Sequence, residues 1–98
     1  MRIEFSPEAK VEFSDGESYY ELQMPGLGAR FRVDVRDALT RLRQWPLATP
    51  VERGEIRRMM LSRYPYKLLY SVQSDYIYIL AVAHLHRAPE YWVERNTP

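Results

Sequence analysis

Residues 66–83 read YKLLYSVQSDYIYILAVA, and their pattern decides the fold. Tyr66, Leu68, Tyr70 and Val72 alternate with Lys67, Leu69, Ser71 and Gln73, the period of a strand with one face on a core. Ser74 and Asp75 supply a two-residue turn without the favoured glycine. Tyr76 to Ala83 is apolar at every position, as a strand covered on both faces requires. The two runs predict an antiparallel hairpin, with Tyr76 to Ala83 as the central strand of the sheet.

Upstream of the hairpin, Ile56 to Leu61 reads as a further strand, and Leu47 to Gly54, with Pro50 and Gly54 and no period, as a connecting loop. Before that loop the period changes from two to helical. Phe31, Val35, Ala38, Leu42 and Trp45 are spaced by four, three, four and three ahead of Pro46, and Ala9, Phe13, Gly16 and Tyr20 form a similar stripe. Pro25, Gly26 and Gly28 separate the two stripes, so they predict a helical hairpin. Ser6 sits where an N-cap belongs, Pro7 where a first helical residue needs no free N–H, and Glu8 at the positive end of the helix dipole. Arg2 to Phe5 alternates as a short half-buried strand, and the run from His84 to Pro98 loses all period, with at most a short helix around Glu90 to Glu94. The expected fold is α+β, in the order β-α-α-β-β-β: an N-terminal strand and a two-helix hairpin packed on a largely antiparallel sheet. A chain of 98 residues has room for one core, so residues 1–98 are expected to be a single domain.

Composition narrows the function classes. With 46% hydrophobic and 28% charged residues the chain has the make-up of a folded globular protein. A formal net charge of +1 does not suggest attachment to nucleic acid by overall charge, so direct nucleic-acid binding is unsupported. The charges segregate: Glu4, Glu8, Glu12, Asp15, Glu17 and Glu21 outnumber Arg2 and Lys10 at the start, while Arg53, Arg57, Arg58, Arg63 and Lys67 face only Glu55 later on. The absence of cysteine excludes disulfides, thiol nucleophiles and thiolate metal sites, and fits a reducing cytoplasm. No apolar run approaches the ~20 residues that span a bilayer, so no membrane partner is expected. Binding of another macromolecule is favoured over turnover of a metabolite, with no cofactor.

Candidate chemistry is thin. His84 or His86 is of the right type for a general acid or base near neutral pH, against the alternative that both bond to backbone or water. Two histidines without a thiolate or placed carboxylate are an incomplete zinc set, so no metal is expected. Arg57, Arg58, Arg63 and Lys67 form either an anion patch or a solvated strand face, and alternation points Arg57 and Arg58 to opposite sides. Tyr64, Tyr66, Tyr70, Tyr76 and Tyr78 are of a type that stacks bases, but strand tyrosines more often pack in cores. Met59, Met60 and Leu61 are apolar on both faces of a strand expected at the sheet edge, which calls for a cover, either a partner or the chain's own C-terminal segment.

The element order and several stretches resemble the ParE/RelE superfamily of type II toxins, the plasmid stabilisation proteins of bacterial toxin–antitoxin pairs. The likeness runs through Phe5-Ser6-Pro7-Glu8-Ala9, Tyr19-Tyr20, Pro25-Gly26-Leu27-Gly28 with Phe31, and Ile56-Arg57-Arg58. It continues in Tyr64-Pro65-Tyr66-Lys67 leading to Tyr70, and in Ile79-Leu80-Ala81-Val82-Ala83-His84 leading to Arg87, Pro89, Tyr91 and Trp92. The resemblance implies a toxin neutralised by a cognate antitoxin, acting either as a RelE-like endonuclease that cuts mRNA on the ribosome or as a ParE-like inhibitor of DNA gyrase.

RelE-like cleavage needs concentrated positive charge and proton transfer at the 2′-hydroxyl and the phosphate. Carried over by resemblance, the C-terminal tyrosine falls at Tyr91, one basic position at Lys67 and another near Arg58, with His84 available for the proton. A second basic position falls at Met60 and a later arginine at Leu85, so the ribonuclease set is depleted. A ParE-like toxin that binds gyrase without cutting RNA is therefore the preferred expectation, with the RelE-like nuclease and a non-toxic binding module as alternatives. The expected target surface is Arg58, Lys67, His84, Arg87, Tyr91 and Trp92; the expected antitoxin surface is Tyr20, Phe31, Met59 and Leu61.

Overall fold

The computed structural model describes residues 1–98. Its elements are β1 (Arg2–Phe5), α1 (Pro7–Gln23), α2 (Leu27–Gln44), β2 (Val51–Arg53), β3 (Ile56–Met60), β4 (Tyr66–Val72) and β5 (Tyr76–His84). The strands lie in the order β1-β5-β4-β3-β2; β1 runs parallel to β5 and the other neighbours are antiparallel. The expected order of strand, helical hairpin and largely antiparallel sheet is the one observed.

Each helix forms for a local reason. The Ser6 side chain accepts the amide of Ala9 at 3.0 Å and so caps α1, with Pro7 as its first residue. The same residue closes the β1–β5 ladder, since its amide donates to the Ile79 carbonyl at 2.9 Å. Gly26, at φ 96°, turns the chain between the helices, and its amide donates to the Glu21 carboxylate at 3.1 Å. At Gly16 a Cβ would lie 2.8 Å from the Phe31 ring, so the missing side chain is what lets Phe31 reach full burial between the helices and the sheet.

The helices cover one sheet face, where Ala9, Phe31, Val35, Ala38 and Leu42 meet Leu68, Tyr70, Ile77, Ile79 and Val82. The segment after β5 folds back over the other face, where Trp92 packs on Leu69, Leu80, Ala81 and Ala83. That second cover explains why β5 is apolar throughout. Leu69 pairs with Ala81 and Tyr70 with Ile79, so Leu80 is a bulge on β5.

Three expectations need correction. The stretch Leu47 to Gly54 is not all loop: Val51–Arg53 pairs with β3, so β2 and not β3 is the edge strand. Three residues with an irregular register carry no readable period. The middle strand is β4, with β5 between it and β1. Trp45 does not close the apolar stripe of α2; it follows the helix as C-cap and is 73% exposed, so the buried stripe ends at Leu42. Residues 90–94 form successive turns, with Glu90 at φ 63°, which lies within the expectation of at most a short helix there. No helix is long and apolar enough to cross a membrane.

Candidate functional site

The site is built where β1 stops short of β5. The β1–β5 ladder ends with Phe5 opposite Ile79, whereas β5 continues to His84, so its last residues have no strand on that side. Side chains take over the edge. Ser6 Oγ and Arg95 Nη1 donate to the Leu80 carbonyl at 3.2 and 3.0 Å, and Glu12 on α1 accepts the Val82 amide at 2.9 Å. Glu12 then becomes the hub of the C-terminal segment: Arg95 grips it with two bonds of 2.9 Å, the Tyr91 hydroxyl donates to it at 2.6 Å, and Arg87 Nη1 lies 3.9 Å away. The guanidinium carbons of Arg87 and Arg95 lie 3.9 and 4.9 Å from the centre of the Tyr91 ring.

The electrostatics follow from that packing. Burial by itself would raise the Glu12 carboxyl, but the bonds from Arg95, Tyr91 and the Val82 amide outweigh it and hold it below its ordinary value. Burial and the adjoining Glu12 carboxylate push the Tyr91 phenol up, so it is a neutral donor and no base. His84 is pulled down by burial and by His86, and its Nδ1 accepts the His86 amide at 3.0 Å, which leaves the ring proton on Nε2.

Beside this hub, a groove of about 700 Å³ runs between α1 and the adjoining ends of β4 and β5, lined by Asp15, Tyr19, Tyr20, Tyr66 and His84 among others. Its wall is an aromatic chain: the Tyr20 ring lies 4.6 Å from Tyr64 and 6.2 Å from Tyr66, and Tyr66 lies 5.0 Å from His84. Burial and the neighbouring Tyr66, Tyr19 and Tyr64 push the Tyr20 phenol up to about 12.

The structure divides the expected target surface. Lys67, His84, Arg87, Tyr91 and Trp92 line one small cavity of about 20 Å³, in which Arg58 has no part. Arg58 and Lys67 instead share a carboxylate: Glu52, on β2, receives Lys67 Nζ at 2.6 Å and Arg58 Nη1 at 3.5 Å. Trp92 is not a surface anchor; at 4% exposure it is part of the core under the C-terminal segment. Of the expected antitoxin surface, Tyr20 lines the open groove and Met59 is half-buried, whereas Phe31 at 0% and Leu61 at 7% exposure are interior. Phe31 on α2 and Leu61 just after β3 both belong to the core between the helical hairpin and the sheet.

Three residues that organise the site carry no sequence signal. Glu12 stands one position off the α1 stripe, Arg95 lies in an aperiodic tail, and Glu52 lies in a strand too short to read. Each has at least one partner 15 or more residues away. The arrangement engages every ionisable group of the nuclease-type set within the chain, and offers the groove and the exposed rim for contact with a partner.

No protein-family model matches the chain, and no curated protein matches it. Among solved structures, a chain of the chromosomal ParDE TA system from P. aeruginosa superposes with a TM-score of 0.76, covering 88% of this chain and 97% of that one at 19% identity. The likeness establishes that the two share a fold: one strand, a helical hairpin and the sheet that follows.

Proposed function

We propose that this protein is the toxin of a type II toxin–antitoxin pair, neutralised by a cognate antitoxin, and that it acts by binding DNA gyrase and not by cutting RNA. The likeness to a chain of a ParDE system supports the pair. The observation that carries the mechanism is the Glu52 carboxylate lodged between Lys67 and Arg58. A phosphate in flight needs concentrated positive charge, and here the single Glu52 carboxylate offsets one of the two strand charges and holds the Lys67 ammonium at 2.6 Å before any RNA arrives. Tyr91 is likewise held as a donor to Glu12, so no side chain of the set is poised to take a proton from a 2′-hydroxyl. Occlusion of a protein target needs only shape, exposed charge such as Arg87, and the aromatic groove.

The deciding experiment is a gyrase supercoiling assay with the purified protein, run beside a translation extract in which mRNA ends are mapped. Inhibited supercoiling with uncut mRNA is expected. Ribosome-dependent cuts would reverse the assignment in favour of the RelE-like nuclease, in which Lys67, His84 and Tyr91 around one cavity would be the working group.

A further inference from the structure

The groove beside the Glu12 hub has aromatic walls. Tyr19 and Tyr20 meet edge to face, with ring centres 5.2 Å apart and planes at 83°. The rings of Tyr20 and Tyr66 stand at 66°, and those of Tyr66 and His84 at 82°. Rings set edge-on stand as walls around a recess, and an aromatic face carries the negative side of the ring quadrupole. The recess holds about 700 Å³, room for a long side chain with its stem.

One charge in this groove is free. Asp15, one turn before Tyr19 on α1, is exposed and has no ion pair and no hydrogen-bond donor within the chain. Its charge reaches the recess: the Tyr66 phenol is pushed up first by burial, then by Tyr19, Asp15 and Glu12. The other ionisable groups along the groove are engaged or neutral. Glu12 is gripped by Arg95, and Arg87 lies 3.9 Å from Glu12 with its guanidinium over the Tyr91 ring. His84 is pulled down by burial and by His86, so its ring is neutral near pH 7.

The chain already shows what such a combination takes. At the hub, the Glu12 carboxylate and the Tyr91 ring together hold the guanidinium groups of Arg95 and Arg87. One turn further along α1, Asp15 and Tyr19 repeat the carboxylate and the ring, and the guanidinium is missing. A guanidinium is weakly hydrated, stacks on an aromatic face and donates to a carboxylate in the same pose, whereas an ammonium is compact and strongly hydrated. An anion would meet the Asp15 carboxylate and the ring faces, and a neutral apolar group would take water from Asp15 and return no hydrogen bond.

We infer that this groove is a guanidinium site, which receives an arginine side chain presented by the target protein. The guanidinium lies against the Tyr19 and Tyr66 rings and donates to the Asp15 carboxylate. The identity of the partner rests on the occlusion reading above, while the aromatic walls and the free carboxylate do not.

The test titrates N-acetyl-arginine methylamide into the isotope-labelled chain, followed by NMR, beside the citrulline analogue, its neutral isostere. Saturable shifts of the Tyr19, Tyr20 and Tyr66 ring signals are expected with the arginine probe at roughly millimolar concentration, and none with the citrulline one. Affinity is expected to fall roughly two- to fivefold in Tyr19→Leu and in Asp15→Asn, and to hold in Tyr19→Phe, which keeps the ring. Both positions are exposed, so the variants keep their fold. Equal shifts from the two probes, shifts from neither, or wild-type affinity in Tyr19→Leu and Asp15→Asn would each overturn the site. Inhibition of gyrase supercoiling by Tyr19→Leu is expected to weaken by a similar factor, and inhibition equal to that of the wild type would overturn the partner. A wild-type chain that binds the arginine probe but leaves gyrase active would overturn the occlusion reading, and the named partner with it. The titration contains only the chain and the probe, so that failure is told apart from a failure of the site.

Discussion

Arg95 grips Glu12 through two parallel hydrogen bonds of 2.9 Å across 83 residues of chain, tying the C-terminal tail to the first helix. A bidentate pair of this kind is among the stronger polar contacts a protein makes, and its position is explained by the sheet. The carboxylate accepts an amide that β1 is too short to reach, and the arginine then neutralises the charge that results.

Replacing Glu12 by glutamine should therefore loosen the whole tail. With both partners mostly buried, a loss of about 2–3 kcal/mol is expected, or roughly 8–24 °C in Tm for a chain of this size. Thermal unfolding followed by circular dichroism measures it, and a red shift of Trp92 fluorescence should accompany it.

The pH dependence has two parts of the same sign. Glu12 is depressed in the folded state, so the unfolded chain binds the proton first; its contribution is present above an unfolded value of about 4.3 and is lost as pH falls through the lower folded value. His84 is also depressed, so the unfolded chain again binds more protons and stability declines as pH falls below about 6.5. Urea midpoints across this range should show both steps, with H84Q removing the upper step and E12Q the lower.

Tyr91→Phe separates the two proposed mechanisms. The substitution deletes one hydroxyl bond to Glu12 and leaves the ring against Arg87 and Arg95, so it should cost about 1–2 kcal/mol and leave the protein folded. Under occlusion the variant still arrests growth when expressed. A folded Y91F protein without toxicity would point to the phenol as a working group in RNA cleavage.

The two tryptophans make opposite predictions from the same residue type. Trp92→Ala opens the second core cluster and should cost about 3–5 kcal/mol. Trp45→Ala at an exposed C-cap should change stability by no more than about 0.5 kcal/mol. Denaturant titration of both variants decides it.

Glu52→Gln should unmask what Glu52 covers. Releasing Lys67 and Arg58 is expected to raise affinity for a single-stranded RNA oligonucleotide roughly tenfold at low salt, with a steeper salt dependence than the wild type. Fluorescence anisotropy over a salt series reads both quantities; equal affinities would mean that the two cations do not face an accessible surface.

The sequence made the scaffold legible because period and punctuation coincide there. Ser6-Pro7 marks the start of α1, and the alternation of Tyr66 to Val72 assigns Leu68 and Tyr70 to the helix side, where they are found. It failed where structure depends on partners distant in sequence. Trp92 reads as a surface aromatic until the tail is seen to fold under the sheet, and Trp45 continues a spacing that its helix does not. Phe31 fits a partner surface on type alone, yet Gly16 admits it to the interior. Glu52 and Glu12, which decide the electrostatics of the site, are recognisable only once β2 and the unpaired end of β5 are known.

Induced expression of the wild-type chain in a bacterial host, with growth, mRNA integrity and plasmid supercoiling followed together, tests the central claim most directly. Growth arrest with intact mRNA and altered supercoiling is the predicted result. Unaffected growth, or arrest accompanied by ribosome-dependent cuts in mRNA with normal supercoiling, would contradict it.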